Sequence, residues 1–233
     1  AYVVRTATDT LDGTAGVSSS FRWVLHDPPP GLAHHVNQVT PVAELDVDDV
    51  LFMDIETTGL NNTPVFLIGI MIWRHGGFEV QQYLARNYAE EKAILAFFVD
   101  ECADRKLLIT FNGKSFDFPF LRTRSAANGV PYGLAPLHLD LLHVGRRIWK
   151  GQFENCKLQT LEAQVCGRVR HGDIPGALIP DAYHRFVRSR NAWQMVDVLR
   201  HNLLDLVTMA DIMTRFPPPK PPKKTKRKRR KPQ

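Results

Sequence analysis

Three strand-like segments that follow one another along the chain constrain its fold most strongly. Residues Val50–Glu56 are largely apolar, Val65–Trp73 is rich in Val and Ile, and Phe78–Leu84 follows a His-Gly-Gly turn. The connections between these segments are short. Short connections join antiparallel strands, whereas parallel neighbours need a crossover of about a dozen residues or more. The pattern therefore predicts a three-stranded antiparallel meander.

Beyond this meander, predicted strands and helices alternate, beginning with an amphipathic helix whose apolar residues recur at helical spacing. The predicted elements are, in order, helix Ala89–Cys102, strand Leu107–Phe111, a helix near Pro119–Ala127, strand Leu137–Leu141, helices Leu142–Trp149 and Leu158–Val165, a loop at residues 172–176, and a long helix from about Asn191 to Arg215. This order predicts an α/β protein in which helices flank a mixed sheet.

The composition divides the chain into three regions. Of its 233 residues, 44% are hydrophobic and 23% charged, which suits a globular protein with one α/β domain. Residues 1–46 contain a Pro-Pro-Pro-Gly break, and we interpret them as an N-terminal extension of short strands and loops. Residues 47–216 would form the α/β domain. Residues 217–233 contain six Pro, nine Lys or Arg and no acid, which predicts a disordered, partly extended basic tail.

The net charge of +6 arises from this tail. The rest of the chain has 21 Lys or Arg and 24 Asp or Glu, a net charge of −3. We therefore expect the tail, and not the domain, to add a non-specific and salt-sensitive contact with nucleic acid. A solubilising terminus or, in a eukaryotic cell, a nuclear import signal at residues 223–231 are alternative interpretations.

Several other classes of protein are not expected. The longest apolar run is Val65–Trp73, whose nine residues are too short to span a bilayer. No charged-then-apolar leader is present at the N-terminus, so secretion is not predicted. The three cysteines, Cys102, Cys156 and Cys166, include no close pair. This argues against a disulfide framework or a zinc site and suits a reducing cytoplasm.

Three aspartates lie where the sequence otherwise predicts burial. Asp54 lies inside a predicted strand, Asp117 lies between phenylalanines, and Asp205 lies in an apolar stretch of the C-terminal helix. Burying an unpaired carboxylate costs at least several kcal/mol, so such a group is paired, protonated or bound to a metal. Glu56 is two residues from Asp54, which places both carboxylates on one face of a strand. For any single acid, a helix cap, a distant Arg or solvent at the end of an element is the simpler explanation.

Four such carboxylates from three separate elements indicate a site for hard divalent cations. Oxygen ligands suit Mg²⁺ or Mn²⁺ rather than zinc. Two such cations about 3.5–4 Å apart can hydrolyse a phosphodiester, one activating a water and the other stabilising the leaving oxygen. We therefore expect two divalent cations, Mg²⁺ or Mn²⁺, held by Asp54, Glu56, Asp117 and Asp205.

His201 is the candidate general base. It precedes Asp205 by four residues, so both side chains project from one face of the helix. An imidazole with an unperturbed pKa of about 6.5 can accept a proton from water, and neighbouring cations disfavour its charged form. The alternative is a solvated histidine on the surface of a helix.

Three segments together resemble the acidic motifs of the DEDD, or DnaQ-like, 3′–5′ exonucleases. They are Phe-Met-Asp-Ile-Glu-Thr-Thr-Gly-Leu at 52–60, Asn-Gly-Lys-Ser-Phe-Asp at 112–117 and His-Asn-Leu-Leu-Asp at 201–205. More closely, the chain from about Val50 to Met213 is similar to the bacterial YprB-type branch of the ribonuclease-H-like exonucleases. The resemblance implies a ribonuclease-H-like fold, with a mixed sheet of three antiparallel strands followed by parallel strands, flanked by helices.

The resemblance also implies roles for individual residues. Asp54, Glu56, Asp117 and Asp205 would be the metal ligands, and His201 would be the general base. DEDD enzymes with a His base usually place it one residue further from the Asp. The four-residue spacing found here usually goes with Tyr, so this chain combines Tyr-type spacing with a His.

Six further residues would contact the substrate. By the same resemblance, Thr57, Thr58 and Leu60 meet the terminal nucleotide, with Leu60 against its base, and Asn112, Lys114 and Phe116 line the path of the strand. Burial in the core for Leu60 and Phe116, and simple exposure for Lys114, are the alternatives. The other two acids of interest, Asp140 and Asp173, are expected to be structural, as helix caps or as partners of arginines.

These features together predict a metal-dependent nuclease. The acids indicate phosphodiester hydrolysis, and the resemblance adds the polarity, namely release of nucleoside monophosphates from the 3′ end of single-stranded or frayed DNA or RNA. Base stacking on aromatic residues and backbone contacts would make recognition tolerant of sequence. Two alternatives stay open: a non-catalytic nucleic-acid-binding module of the same fold, and a ribonuclease-H-like endonuclease.

Overall fold

The structure, a computed structural model, describes residues 1–8, 16–60, 62–133 and 137–218. The strands in these ranges are β1 (Tyr2–Ala7), β2 (Val50–Thr57), β3 (Val65–Arg74), β4 (Gly77–Leu84), β5 (Leu107–Thr110) and β6 (Leu137–Asp140). The α-helices are α1 (Val17–His26), α2 (Pro30–Val36), α3 (Glu91–Cys102), α4 (Asp117–Ala127), α5 (Leu141–Trp149), α6 (Leu158–Leu161), α7 (Ile179–Ser189) and α8 (Trp193–Thr214). Short 3-10 helices lie at Val42–Glu44, Val47–Asp49, Tyr88–Glu90 and Gly176–Leu178.

The described strands form one mixed sheet in the order β1-β4-β3-β2-β5-β6. The β1–β4, β4–β3 and β3–β2 pairs are antiparallel, and the β2–β5 and β5–β6 pairs are parallel. The predicted antiparallel meander and the mixed sheet flanked by helices are therefore confirmed. The short connections explain the antiparallel part of this order from β2 to β4, because they leave room only for a reversal of the chain.

The sheet separates two layers of core, because successive side chains of a strand point to opposite faces. Phe52 of β2 belongs to the layer that contains α1, α2 and α5, whereas Leu51 and Met53 belong to the layer that contains α3, α4 and α7. The helix α8 contributes to both layers. With helices on both faces, the central strand β3 is buried along almost its whole length.

The N-terminal region differs from its prediction. The described part of residues 1–46 contains one short strand, β1, as expected, but it also forms helices α1 and α2, which are not predicted. β1 extends the sheet by pairing with β4, and Phe21 of α1 is fully buried, its ring centroid 5.4 Å from that of Phe52. The helical spacing of Val17, Phe21 and Leu25 is hard to recognise in the sequence, because serines fill the positions between the first two.

Two further elements differ from the sequence pattern. The helix α7 is not predicted, because prolines at 175 and 180 indicate a loop; Pro180, however, lies in the first turn, where a helix tolerates proline. The predicted helix Leu158–Val165 is an α-helical turn, α6, that widens into a π-helical turn at Glu162–Cys166. Both elements lie in the segment that leads to α8.

A close contact between α8 and the sheet fixes the position of this helix. Gly69 of β3 is opposite Asp54 of β2 and Gln82 of β4. The buried Asn202 of α8 lies on Gly69, where an added Cβ would be 2.0 Å from the Oδ1 atom of Asn202. Asn202 Nδ2 donates to Asp54 Oδ2 at 2.8 Å, and Gln82 Nε2 donates to Asn202 Oδ1 at 2.8 Å. Glycine is needed here because only a residue without a side chain lets the helix approach so closely.

Two sequence-based expectations concern membranes and the tail. None of the helices in the described parts of the chain is long and apolar enough to cross a membrane. From residue 219 onward, the predicted basic tail lies outside the described residues.

We expect Gly69→Ala to lower the free energy of unfolding by about 1–3 kcal/mol, the usual effect of overpacking a tight contact. The new Cβ would overlap Asn202 and push α8 from the sheet. Gly176→Ala is the matched control, because a Cβ at that position meets nothing within 4 Å. Urea denaturation measures both variants, and equal stability of the two would contradict the role given to this contact.

Candidate active site

Asp54 and Glu56 lie on the same face of β2, because they are two residues apart in an extended strand. Both are partly buried, and Met53 and Ile55, on the opposite face, are buried in the core. The two acids are near the carboxyl end of β2. Because β2 and β5 are parallel, the chain that leaves β5 reaches the same edge of the sheet.

Asp117 reaches this edge from the loop that follows β5. It is the first residue of α4 and is buried. Burial raises the pKa of its carboxyl, and hydrogen bonds from the backbone N–H groups of Asp117 itself and of Ile55 oppose that rise. The contact with Ile55 joins the start of α4 to β2 at the residue between the two acids of that strand.

Asp140 organises the loop between β5 and α4. Its buried carboxylate accepts hydrogen bonds from the backbone N–H groups of Asn112 and Lys114, at 2.9 and 3.0 Å. It also caps α5 by accepting from the N–H group of Leu142 at 3.0 Å. Asn112 has a φ of 69°, a left-handed conformation that Asn adopts more readily than most residues. The expectation that Asp140 is structural, as a helix cap, is confirmed.

Asp205 comes from α8 and follows Asn202 by three residues, so the contact of Asn202 with the sheet turns Asp205 toward the same edge. The side chain of Asp205 is partly buried. Its Oδ1 lies 2.6 Å from Arg170 Nη2, and its Oδ2 lies 3.6 Å from His201 Nε2. The fold therefore brings all four predicted acids to one region.

The charge of Asp205 raises the pKa of the other three acids. Burial raises the pKa of Asp54 well above its usual value, and the charges of Asp205, Glu56 and Asp117 add to the rise. Burial is also the largest cause of the raised pKa of Glu56, followed by the charges of Asp205 and Asp117. Burial raises the pKa of Asp117 to about 7. Ionisation of one of these acids therefore disfavours ionisation of its neighbours.

Arg170 is the counter-charge that the chain supplies to this cluster. Burial raises the pKa of Asp205, and the charge of Arg170 opposes that rise. The Arg170–Asp205 contact lacks hydrogen-bond geometry, whereas Arg170 donates from Nε to Glu162 at 2.6 Å and from Nη1 to Asp173 at 3.2 Å. Within the described ranges, Asp205 is the one acid of the four that forms an ion pair with Lys or Arg.

His201 is held between two acids. Its Nδ1 lies 2.9 Å from Asp173 Oδ2, and its Nε2 lies 3.6 Å from Asp205 Oδ2. A hydrogen bond from Nδ1–H to Asp173 leaves the lone pair of a neutral imidazole on Nε2, the nitrogen that faces Asp205. The predicted projection of His201 and Asp205 from one helix face is confirmed. Asp173, expected to be structural, does pair with an arginine, Arg170, and it also orients His201.

The oxygen atoms of the four carboxylates have the right chemistry to bind a hard divalent cation, but they are not arranged around one common point. Four neighbouring carboxylates whose pKa values are raised by burial would gain from a shared cation. In the part of the chain that the structure describes, however, no three His, Cys, Asp or Glu side chains are grouped so that they could hold a metal ion. Repulsion between the acids opposes such grouping, and Arg170 and Asn202 hold two of them, Asp205 and Asp54. The metal-ligand roles of the four acids stay a prediction.

A cavity of about 480 Å³ opens beside the acids, with Asp54, Asp205, Asn112 and Phe111 in its lining. Cavities of this size accommodate small ligands such as a nucleotide. A slightly larger cavity, of about 520 Å³, lies beside α1 and has none of the four acids in its lining. The chemistry of the site is therefore associated with the smaller cavity.

A family model of the RNase H superfamily matches residues 51–216, a range that contains all four acids and the strands β2 to β6. This chain belongs to the RNase H superfamily. The order and directions of its strands, with three antiparallel pairs followed by two parallel pairs, form the predicted ribonuclease-H-like sheet.

One sequence relative and one solved structure are similar to this RNase H superfamily member. It is 32% identical over 170 residues to YprB of Bacillus subtilis (strain 168), an alignment that covers 71% of this chain and 41% of YprB. The chain thus spans less than half the length of this relative. The structure of the family B DNA polymerase from the hyperthermophilic archaeon Pyrobaculum calidifontis matches with a TM-score of 0.57 and 18% identity, over 70% of this chain and 24% of the polymerase. The polymerase supports the fold alone, and the predicted likeness to ribonuclease-H-like proteins and to YprB is confirmed.

The predicted substrate-binding residues are only partly assembled at the cavity. Asn112 lines it. The Thr57 hydroxyl donates to the Gly59 carbonyl at 2.7 Å, and the Thr58 hydroxyl donates to the Pro64 carbonyl at 3.3 Å. Both threonines therefore shape the β2–β3 connection of this RNase H superfamily member, and their substrate contacts stay a prediction.

The other predicted substrate residues differ in exposure. Leu60 is 80% exposed, so it is not a core residue, and Lys114 is also exposed. Phe116 is partly buried, and its ring centroid lies 5.0 Å from that of Phe120, so it belongs at least in part to the core. Of this group, Leu60 and Lys114 are available to a ligand.

Several residues that shape the site are absent from the predicted set. Asn202 and Gly69 carry a recognisable signal, because a polar residue in an apolar helix and a glycine in the middle of a buried strand often mark a close approach. Arg170 carries no such signal, because an arginine in a loop is usually solvated. The role of Asp173 toward His201 is equally invisible, since the two residues are 28 positions apart.

The raised pKa of Asp117 predicts how the stability of the metal-free protein depends on pH. The folded chain keeps this carboxyl protonated up to about pH 7, whereas the unfolded chain ionises it near 3.8. The stability that this group contributes is therefore present at low pH and is lost as the pH rises from about 4 to about 7. In EDTA, the free energy of unfolding should fall over this window, and Asp117→Asn should make the fall shallower.

The exposed Asp104 provides the control for this prediction, because Asp104→Asn removes a carboxylate outside the cluster. Denaturant titrations at several pH values measure the three proteins. Stability that increases through the window, or an unchanged slope in Asp117→Asn, would show that the cluster is not strained by its charge.

Proposed function

We propose that this chain is a metal-dependent 3′–5′ exonuclease that hydrolyses phosphodiester bonds of single-stranded or frayed nucleic acid. One observation carries the proposal: the fold brings four acids from β2, α4 and α8 to one edge of the sheet, where the charge of Asp205 raises the pKa of the other three. A protein that only binds nucleic acid gains nothing from four negative charges beside phosphate, whereas phosphodiester hydrolysis with divalent cations requires such ligands. Membership of the RNase H superfamily supports nucleic acid as the substrate.

Two cations, Mg²⁺ or Mn²⁺, would be held by Asp54, Glu56, Asp117 and Asp205. When bound, such cations supply the positive charge that activates water and stabilises the leaving oxygen. Asp205 would then exchange its contact with Arg170 for a cation. Arg170 would stay in place, because it keeps its hydrogen bonds to Glu162 and Asp173.

His201 would act as the general base and accept the proton of the attacking water on Nε2. Asp173 supports this role, because its contact with Nδ1 fixes the tautomer and stabilises the imidazolium that forms. This contact does not depend on the spacing between His201 and Asp205. It therefore favours a His base here even though a four-residue spacing usually goes with Tyr.

The polarity of the reaction rests on the resemblance to the DEDD exonucleases. The exposed Leu60 would lie against the base of the terminal nucleotide, and Thr57 and Thr58 would position that nucleotide through the turn after β2. Asn112, Lys114 and Phe116 would follow the path of the strand. Such contacts to backbone and base faces would make the enzyme tolerant of sequence, on DNA or RNA.

The proposal extends to the organisation of the chain. Residues 47–216 would form the exonuclease domain, and residues 1–46 would be an extension that completes its sheet through β1. The basic tail at 217–233 would add a non-specific contact with nucleic acid. The cytoplasm, where the three cysteines would stay reduced, is the proposed location.

A non-catalytic nucleic-acid-binding module of the same fold is the second candidate function. The ion pair between Arg170 and Asp205 favours it, because an arginine that neutralises a ligand competes with a cation. A ribonuclease-H-like endonuclease is the remaining alternative. The position of the first cut and the need for a free 3′ end separate these functions.

Degradation of end-labelled DNA and RNA oligonucleotides tests the proposal. With Mn²⁺ or Mg²⁺ the chain should release a 3′ label as mononucleotide and shorten 5′-labelled strands stepwise, and EDTA should stop both. We expect Asp205→Asn to lower the rate about 100-fold or more, since cation stabilisation amounts to several kcal/mol and about 1.4 kcal/mol is tenfold. Asp197→Asn, an exposed acid on the same helix, should leave the rate unchanged.

A blocked 3′ end should prevent hydrolysis. Cleavage of blocked or circular strands would replace the exonuclease with an endonuclease. Binding without any metal-dependent hydrolysis would favour the non-catalytic module.

A further inference from the structure

The cavity of about 480 Å³ beside Asp54 and Asp205 has two basic residues in its lining, Arg146 and Lys157. Arg146 lies in the last turn of α5, and Lys157 directly precedes α6. Both side chains are exposed. The cavity therefore combines the negative charge of the proposed catalytic acids with positive charge from a separate part of the chain.

In the part of the chain that the structure describes, the side chains of Arg146 and Lys157 have no acidic partner. Among the described residues, neither Arg146 nor Lys157 forms an ion pair, in contrast to Arg168 and Arg170, which are both paired with Glu162. An arginine that stabilises the fold is usually paired or hydrogen-bonded. Exposed, unpaired basic side chains in the wall of a cavity are instead available to an anionic ligand.

Hydrogen bonds hold the backbone near Arg146 and Lys157 in place. Asp140 caps α5 at one end and binds the loop of Asn112, so Arg146 and Asn112 belong to one connected unit. The side chain of Asn155 accepts hydrogen bonds from the Lys157 N–H group at 2.9 Å and from the Thr160 hydroxyl at 2.7 Å. The two basic residues therefore start from fixed positions beside the cavity.

The rest of the lining selects among anions. Phe111, Leu142 and Leu158 add apolar surface, and Asn112 and Asn155 add amide groups. A small inorganic anion would use the basic side chains but not the apolar surface. A nucleotide within a strand presents both a phosphodiester and a base, and it matches this mixture.

We infer that Arg146 and Lys157 bind the phosphodiester backbone of single-stranded nucleic acid next to the acids. This inference rests on the proposed function, since it makes the cavity the place where the strand approaches the site. It adds two residues, outside the three acidic motifs, that would hold the strand in position for reaction at its end. Their contribution is to binding, so their loss should raise KM and leave kcat largely unchanged.

Binding of a fluorescein-labelled, 12-nucleotide single strand in EDTA tests the inference without reaction. The variant Arg146→Gln/Lys157→Gln should bind about 10-fold or more weakly at low salt. When log affinity is plotted against log salt concentration, the slope for this variant should be shallower by about 1.4, which is about 0.7 for each lost phosphate contact. Arg147→Gln/Lys150→Gln is the matched control, because it removes the same charge from exposed residues at the end of α5 that do not line the cavity.

Equal losses of affinity in the two double variants would overturn the inference, because they would reflect net charge alone. Unchanged affinity in Arg146→Gln/Lys157→Gln would also overturn it. Thermal unfolding of both variants shows whether they stay folded, and the salt slope is a readout that a purely structural role would not change.

Cys156 offers a second, independent measurement, because its side chain lines the same cavity. Cys102 is buried, and burial raises the pKa of Cys166 to about 12, so both react slowly with iodoacetamide. The strand should protect Cys156 from alkylation in the unaltered chain and in the control variant, but much less in Arg146→Gln/Lys157→Gln. Absence of protection in the unaltered chain, at a saturating concentration of strand, would place the strand elsewhere.

The failure of this inference and the failure of the proposed function give different results. Metal-dependent hydrolysis with equal behaviour of the two double variants would sustain the exonuclease and remove the role of Arg146 and Lys157. Protection of Cys156 and a specific loss of affinity, without hydrolysis by the unaltered chain, would sustain the binding cavity and remove the exonuclease.

Discussion

Mutual repulsion among four buried or partly buried carboxylates is the unfavourable interaction that the rest of this structure must offset. Two of them come from β2, one from the start of α4 and one from α8. The parallel pairing of β2 with β5 brings the first three to one edge, and the contact of Asn202 with Gly69 adds the fourth. Burial raises the pKa of each of these acids, so the apolar core keeps together groups that would otherwise separate. A cluster of acids whose pKa values are raised in this way is typical of a functional site.

The segment between the π-helical turn and α7 is held to the site mainly by ion pairs. Glu162 is almost fully buried and accepts hydrogen bonds from both Arg168 and Arg170, each at 2.6 Å. Arg170 then reaches Asp173 and Asp205, so a single arginine links the loop to the candidate general base and to an acid of the cluster. Removing one partner of a buried pair costs about 3–5 kcal/mol, which explains how a loop without regular structure keeps these groups in position.

The sequence predicts much of the sheet and the convergence of the four acids, and the reason is physical. Strand length, short connections and charge in apolar segments are local properties, and β2, β3, β4 and the long α8 carry them clearly. Helix α1 and helix α7 are not predicted, because serines and prolines obscure their apolar spacing. The partners of the acids are not predicted either. Asn202 and Asp54 are 148 residues apart, and only the folded sheet shows that the glycine opposite Asp54 gives Asn202 its place.

Binding of Mn²⁺ to the metal-free chain, measured by isothermal titration calorimetry at pH 6 and pH 8, tests most directly whether the acid cluster exists to hold cations. We expect two Mn²⁺ per chain, bound more tightly at pH 8 than at pH 6. The pKa of Asp117 is raised to about 7, so a proton must leave this carboxyl before a cation binds. Asp54→Asn should lose at least one of the two. No saturable binding at either pH, or unchanged binding by Asp54→Asn, would contradict the account.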